Sequence, residues 1–380
     1  MRYSVDNDRL LQSFLKLTSF DSESYGEREL GEYVTAELKK LGLHVRTDTT
    51  DAGFLERHPG SYPNIYAVLP GTGEKKDEEP LLLAAHLDTV SPGRGKKAAV
   101  HGDGTITSDG TTVLGADDAA GIASILEALA SAIEKDLSHP DIEVLITPAE
   151  ETFCEGSEHF DYSLLCSKKA IVLDLDGPVG TAANTAPTIL SLDIEIIGRA
   201  AHAGFAPEDG INALSIAVEA LSGLPVGRLA SGSTVNFGTI EGGTGKNIVP
   251  GRVRITGEVR SHDHSEALRR RDEIFTRFEE TAKKHGAKAV CGGKEHIRAY
   301  LVDEDAAIVK HFYRAAAAVG AEPGALRKTY GGSDANRLNE HGIESLVAAC
   351  AMENVHTTAE RTNIKELAGA AELTLALIAE

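Results

Sequence analysis

His86 and Asp88 stand two residues apart near the end of residues 81–90 (LLLAAHLDTV), an apolar run without Gly or Pro. Such a run reads as a strand buried on both faces of a parallel sheet, and the spacing of two sends both side chains from one face. Ligands of open α/β sheets bind beyond the carboxyl ends of the strands. An imidazole and a carboxylate placed there are therefore candidate cation ligands. Two more apolar runs end in the same manner. Residues 142–147 lead into Pro148-Ala149-Glu150-Glu151, and residues 170–173 lead into Asp174-Leu175-Asp176-Gly177. Adjacent glutamates past a strand end repel each other unless a cation or a shared proton relieves them. A Gly- and Asp-rich loop, residues 108–121, carries Asp117-Asp118 into a helix, a pair that helix capping alone would also select. His356 supplies a second imidazole far downstream.

Together these residues match the demands of a hydrolytic two-metal centre. Zinc takes histidine nitrogen and carboxylate oxygen. Paired ions roughly 3.5–4 Å apart need a bridging carboxylate and one or two further ligands each. Asp117 is the expected bridge, because its loop brings it to the strand tips. His86 and one aspartate of the Asp174/Asp176 pair would complete one ion, and Glu151 and His356 the other. Asp88 lies too near His86 to need an ion of its own and is expected to orient the imidazole. Glu150 then remains as the general base, taking a proton from the attacking water and passing it to the departing amine.

The elements that must position these groups follow from periodicity. Residues 7–17 and 27–41 read as helices, the second with Leu30, Val34, Leu38 and Leu41 at helical spacing and Gly42 to end it. Residues 43–47 and 64–69 read as strands. The helix after Gly121 has Ile122, Ile125, Leu126 and Leu129 as its buried stripe. From residue 188 the pattern changes: Leu190, Leu192, Ile194 and Ile196 alternate with polar residues, as in a half-exposed strand. A helix with Leu214, Ala217, Val218 and Leu221, strands at 234–240 and 253–260, a charged helix at 265–285 and a strand at 287–291 complete a β-α-β-β-α-β order. Helices at 305–319 and 364–378 and a strand at 344–349 return to the first pattern. The expected fold is α/β: a mixed, largely parallel sheet flanked by helices, formed by residues 1–186 and 295–380. An α+β ferredoxin-like domain, residues 187–294, is inserted into it.

The totals agree with two domains, since 380 residues exceed what one core usually holds. Lys plus Arg is 38 and Asp plus Glu is 58, a net charge of −20 that argues against nucleic acid or an anionic membrane as partner. No apolar run approaches a membrane span. The first residues, MRYSVD, lack a signal-peptide core. Cys154, Cys166, Cys291 and Cys350 have no CxxC spacing. Reduced thiols in a cytoplasmic protein are the expectation.

The runs His86-Leu87-Asp88-Thr89, Asp109-Gly110-Thr111-Thr112 through Gly115-Ala116-Asp117-Asp118, Glu150-Glu151 and His356-Thr357 resemble the motifs of the peptidase T-like tripeptide aminopeptidases. These are a branch of the co-catalytic dinuclear zinc exopeptidases, and the resemblance covers nearly the whole chain. It implies two zinc ions per subunit, with cobalt or manganese able to substitute, Asp117 as bridge, Glu150 as base and a cis peptide bond after Asp117. Where that family has one aspartate before its Gly-rich turn, this chain has two; Asp174, the residue ending the strand, is preferred over Asp176. In the inserted domain, His202 matches a histidine that polarises the scissile carbonyl in the other subunit's site. Asn247 and Arg260 match positions that hold the substrate carboxylate or backbone. A homodimer through the inserted domain is implied. The expected activity is cleavage of the N-terminal peptide bond of short peptides, tripeptides first. The alternative on the same scaffold is a carboxypeptidase, dipeptidase or N-acyl-amino-acid amidohydrolase, against which the Gly-Ala-Asp-Asp run weighs.

Overall fold

The computed structural model describes residues 3–48, 52–322 and 324–380, so Met1 and Arg2 of the N-terminal segment lie outside the described residues. The chain divides into two compact units. One comprises residues 1–185, 301–329 and 333–380; the other comprises residues 186–300 and 330–332.

The first unit is built on a mixed sheet. Its order runs His44–Asp48, Asn64–Leu69, Ile142–Thr147, Leu81–His86, Lys169–Asp176, Glu344–Met352, Ala182–Ala186. Leu81–His86 is parallel to both of its neighbours, and Glu344–Met352 is parallel to Lys169–Asp176. Every residue of Leu81–His86 and of Ile142–Thr147 is buried, which is why apolar residues occupy both faces of these strands instead of alternating; the buried Glu143 accepts from the Tyr66 hydroxyl. Three parallel strands therefore end on one side of the sheet, each carrying acidic or imidazole residues.

Two strand ends differ from the sequence reading. The first strand stops at His86, so Asp88 sits in the loop beyond it. The third runs on to Asp176, so Asp174 lies within the strand, flanked by buried Leu173 and Leu175, and does not end it. Pairing with Glu344–Met352 carries the strand past the charged residues, which local sequence could not foretell. Helix Asn7–Thr18 starts where the Asp6 carboxylate accepts from the Asp8 and Arg9 amides, and it buries Leu10, Phe14 and Leu17. Helix Arg28–Lys40 buries Leu30, Val34 and Leu38, and Gly42 beyond it takes φ +86°. Helix Ala116–Glu134 buries nearly its whole circumference from Ala116 to Ala132, not a single stripe. It packs against the sheet and against Ile364–Ala379. Gly121 is required there: a Cβ would stand 2.4 Å from the Leu173 carbonyl oxygen.

The second unit is a ferredoxin-like sandwich. Its main strands lie in the order Thr234–Gly242, Arg252–Ser261, Thr188–Ile197, Lys288–Gly292, all antiparallel. Glu295–Ile297 also pairs with Thr188–Ile197 and carries the unit beyond residue 294. Leu190, Leu192, Ile194 and Ile196 face helices Ala213–Ser222 and His264–Lys284 across a core that includes Ile216, Val253, Ile255, Ile274 and Phe278. Burying Phe278 completely stabilises the unit by roughly 2–3 kcal/mol. Helix Ala213–Ser222 is rotated relative to expectation. Ala213, Ile216, Ala217 and Ala220 face inward, while Leu214 and Val218 remain 39% and 56% exposed. Three alanines let the helix approach the sheet closely, and the larger side chains are left on the outer face.

Candidate metal centre

Asp117 stands between two histidines. Its Oδ1 is 2.9 Å from His86 Nε2, and its Oδ2 is 3.0 Å from His356 Nε2. Each histidine has a second carboxylate of its own: Asp174 Oδ1 is 3.5 Å from His86 Nε2, and Glu151 Oε1 is 3.0 Å from His356 Nε2. Two ligand groups result, His86–Asp117–Asp174 and Asp117–Glu151–His356, and within each the donor atoms lie within 4.8 Å of one another. Asp176 belongs to neither group.

The elements explain the placement. His86 is the last residue of its strand, and Asp174 lies within the neighbouring one. Asp117 and Asp118 adopt non-helical backbone angles at the start of helix Ala116–Glu134, with a cis peptide between them. The two readings of that acidic pair divide between its members. Asp118 caps the helix through its bond from the Gly121 amide (3.0 Å) and also accepts from the His86 amide (3.1 Å). Asp117 is the member that faces the imidazoles. Glu150 and Glu151 follow Ala149, a residue held at φ +52°, and His356 itself sits at φ +63°. Left-handed backbone is uncommon for side chains of this kind and collects at functional sites.

Asp88 lies beside the His86 ring and bonds to the backbone beyond it. Its Oδ1 is 3.4 Å from His86 Nδ1 and accepts from the Glu150 amide at 2.8 Å. Its Oδ2 accepts from the Glu151 amide at 3.1 Å and from Ser24 Oγ at 2.7 Å. Glu27 holds the preceding residue in the same way, accepting from the Ala149 amide at 3.1 Å. Sequence reading missed Ser24 and Glu27. It gave no role to Glu360 either, a buried carboxylate that accepts from the Gly115 and Asp117 amides. None of the three stands at a motif spacing, so only the groups they bond to, the Asp88 carboxylate for Ser24 and backbone amides for Glu27 and Glu360, reveal them.

The electrostatics call for positive charge. Burial pushes the carboxyls of Glu150, Glu151 and Asp118 upward, and that of Asp174 up to about 7. Asp117 is the exception. Burial would raise it, but the bonds from His356 and His86 overcome this and hold it well below the usual range. His356 is pushed up to about 10, first by its bond to Asp117 and then by Glu151. Protons thus gather where carboxylates crowd, as expected of a cluster whose natural counter-charge is a cation. Glu151 Oε1 is buried and faces His356 Nε2 without hydrogen-bonding geometry, as two donors turned toward a common cation would. The donor set of imidazole nitrogen and carboxylate oxygen suits zinc. Glu150 belongs to neither ligand group; its Oε1 is 3.3 Å from Cys154 Sγ.

His202, Asn247 and Arg260 all lie in the second unit. The Asn247 carbonyl accepts from the Ala203 amide at 2.9 Å, which brings its segment beside His202. His202 Nδ1 accepts from the Gly204 and Phe205 amides, both at 3.1 Å, leaving the ring proton on Nε2. The Arg260 fork is engaged within its own unit: Nε and Nη2 donate to Glu258 at 2.9 and 3.0 Å, and Nη1 donates to the Tyr330 carbonyl at 2.8 Å.

The chain is similar to known proteins along nearly its whole length. Residues 64–199 match the profile described as peptidase family M28, and residues 185–289 match the peptidase dimerisation domain. The Bacillus subtilis protein YqjE is 36% identical over 376 residues, 99% of each chain. The crystal structure of aminopeptidase PepT from Bacillus cereus superposes with a TM-score of 0.90 at 37% identity, over 98% of both chains. A tripeptidase from Staphylococcus aureus superposes with a TM-score of 0.92 at 33% identity, over 99% of this chain and 98% of that one.

Proposed function

Because this chain belongs to the peptidase T-like family of metallopeptidases, we propose that it is a dinuclear zinc exopeptidase removing the N-terminal residue from short peptides, tripeptides first. The observation that carries this reading is the division of Asp117 between His86 and His356, each with its own further carboxylate, while Glu150 stays outside both groups. The PepT and tripeptidase relatives supply the substrate class.

In this reading His86, Asp117 and Asp174 hold one ion, and Asp117, Glu151 and His356 hold the other. Two zinc ions, when bound, would polarise the scissile carbonyl and acidify the attacking water. Glu150 takes the proton from that water and delivers it to the departing amine. Burial raises its affinity for a proton, in the direction a proton acceptor requires. Asp88 fixes the backbone of Glu150 and Glu151 and steadies His86. His202, with its proton on Nε2, is suited to donate to the substrate carbonyl. Asn247 and Arg260 hold the peptide, Arg260 by exchanging Glu258 for the substrate carboxylate. The uncovered Leu214 and Val218, in the segment matching the dimerisation domain, are the proposed subunit contact of a homodimer. Cytoplasmic residence is proposed from the four unpaired cysteines.

The test is a panel of di-, tri- and tetrapeptides, each free and N-acetylated, assayed with zinc or cobalt. Preferential cleavage of free tripeptides is expected. Equal rates on blocked and free peptides would remove the aminopeptidase reading.

A further inference from the structure

Glu360 is a buried carboxylate at the end of an otherwise exposed run, 1% accessible although residues 356–359 before it are open to solvent. It touches no histidine of the centre. Its Oε2 accepts from the Gly115 amide at 2.7 Å and its Oε1 from the Asp117 amide at 2.9 Å. Both oxygens are thus spent on the two peptide groups that flank Ala116, at the point where the loop becomes a helix. Gly115 sits there at φ +74°, and a Cβ on it would stand 3.1 Å from Lys96 Cε. Lys96 is itself buried, with Nζ 3.2 Å from Ser22 Oγ. The bend before Asp117 is therefore held from two sides, by a carboxylate on its amides and by a lysine stem against its glycine.

The same loop carries His356. The Glu360 amide donates to the Thr357 carbonyl at 3.1 Å, so the anchor and the imidazole share one tight turn. A single segment, residues 356–360, thereby supplies one ligand of the Asp117–Glu151–His356 group and fixes the backbone of another. His86 and Asp174, by contrast, are held by the sheet and have no contact with Glu360 among the hydrogen bonds of the described residues.

We propose that Glu360 is a positioning residue which couples the His356 loop to the bridging aspartate, and that it sets the occupancy of the His356-side ion. This rests on the dinuclear reading above. Glu360 acts through the backbone amides before and at Asp117. Carboxylates that hold ligands from behind the coordination sphere typically change metal affinity 10–100-fold when replaced. In Glu360→Gln one oxygen becomes an amide NH₂, which cannot accept from a backbone N–H, so one of the two bonds is lost at constant size.

The experiment is calorimetric titration of the metal-free protein with zinc, with zinc content measured after gel filtration. The wild type should take up two ions per chain. For Glu360→Gln the weaker step should fall at least about tenfold, moving the content toward one ion, while the tighter step stays within about threefold. Glu360→Asp keeps the charge but cannot span both amides, and it should show a smaller loss at the same step. Thermal unfolding of the metal-free variants separates positioning from a merely structural role. If Glu360→Gln or Glu360→Asp unfolds earlier yet binds both ions as the wild type does, the proposal is wrong. A wild-type isotherm with fewer than two ions would instead defeat the dinuclear reading, before any variant is made.

Discussion

The two halves of the candidate metal centre are made of different material. His86 and Asp174 stand on neighbouring parallel strands, with His86 2% and the Asp174 side chain 10% exposed. Glu151 and His356 stand on loops, and the His356 side chain is 51% exposed. One half inherits its geometry from the sheet, where a ligand can shift only if the core does. The other depends on buried carboxylates that grip backbone amides: Asp88 and Glu27 under residues 149–151, Glu360 under residues 115–117. The lesson is that a site can combine a rigid half and a braced half, and that the brace is where sequence reading is least informative.

Substitutions in each half test the contrast. The largest effect is expected for Asp117→Ala. Because Asp117 serves both halves, this protein should retain neither ion under conditions that load the wild type, and peptide hydrolysis should be undetectable. One tightly held ion in Asp117→Ala would deny the bridging role. Glu150→Gln should follow, with both ions retained and turnover lowered a hundredfold or more, the loss expected when a general base is removed. Near-normal turnover would take that role from Glu150. His356→Ala should bind a single ion held by the strand-borne half, whereas His86→Ala should lose the tighter ion. If both variants lose the same ion, by zinc content after stepwise chelation, the two halves do not differ as described.

The smallest effect concerns the brace itself. Burial lowers the Lys96 ammonium from 10.5 to about 8. Below pH 8 Lys96 is charged in both folded and unfolded chains, and the folded state bears the full cost of burying it. Between pH 8 and 10.5 the unfolded chain holds more protons, so stability rises with pH across that window. The gain relative to Lys96→Met should be on the order of 3 kcal/mol at most. Chemical denaturation of both proteins from pH 7.5 to 10.5 measures it, and parallel curves would refute it.

Much of the candidate centre was legible because residues on or just past buried strands leave a mark in sequence. His86, Glu150, Glu151 and Asp174 each follow a largely apolar run of strand length. Sequence preferred Asp174 over Asp176 as the residue ending the strand, but the strand runs on to Asp176, and it is the 3.5 Å distance of Asp174 from His86 that separates the two. Helix faces were less legible where alanine dominates. Leu214 and Val218 carry more apolar surface than Ala213, Ala217 and Ala220, yet the alanines face the core. Periodicity gives the stripe, but close packing against a sheet selects small residues for it.

Residue types and spacing alone determined the kinds of ligand, the strand tips that bear them and the β-α-β-β-α-β order of the inserted segment. These are local consequences of hydropathy, which repeats every two or every 3.6 residues and can be read in a window. Tertiary structure alone decided which carboxylates would be spent on backbone amides. Glu27, Asp88 and Glu360 reach peptide groups 122, 62 and 243 positions away, at Ala149, Glu150 and Asp117. A hydrogen bond of that span has no periodicity to betray it. It exists because a buried charge must find donors wherever the fold brings them.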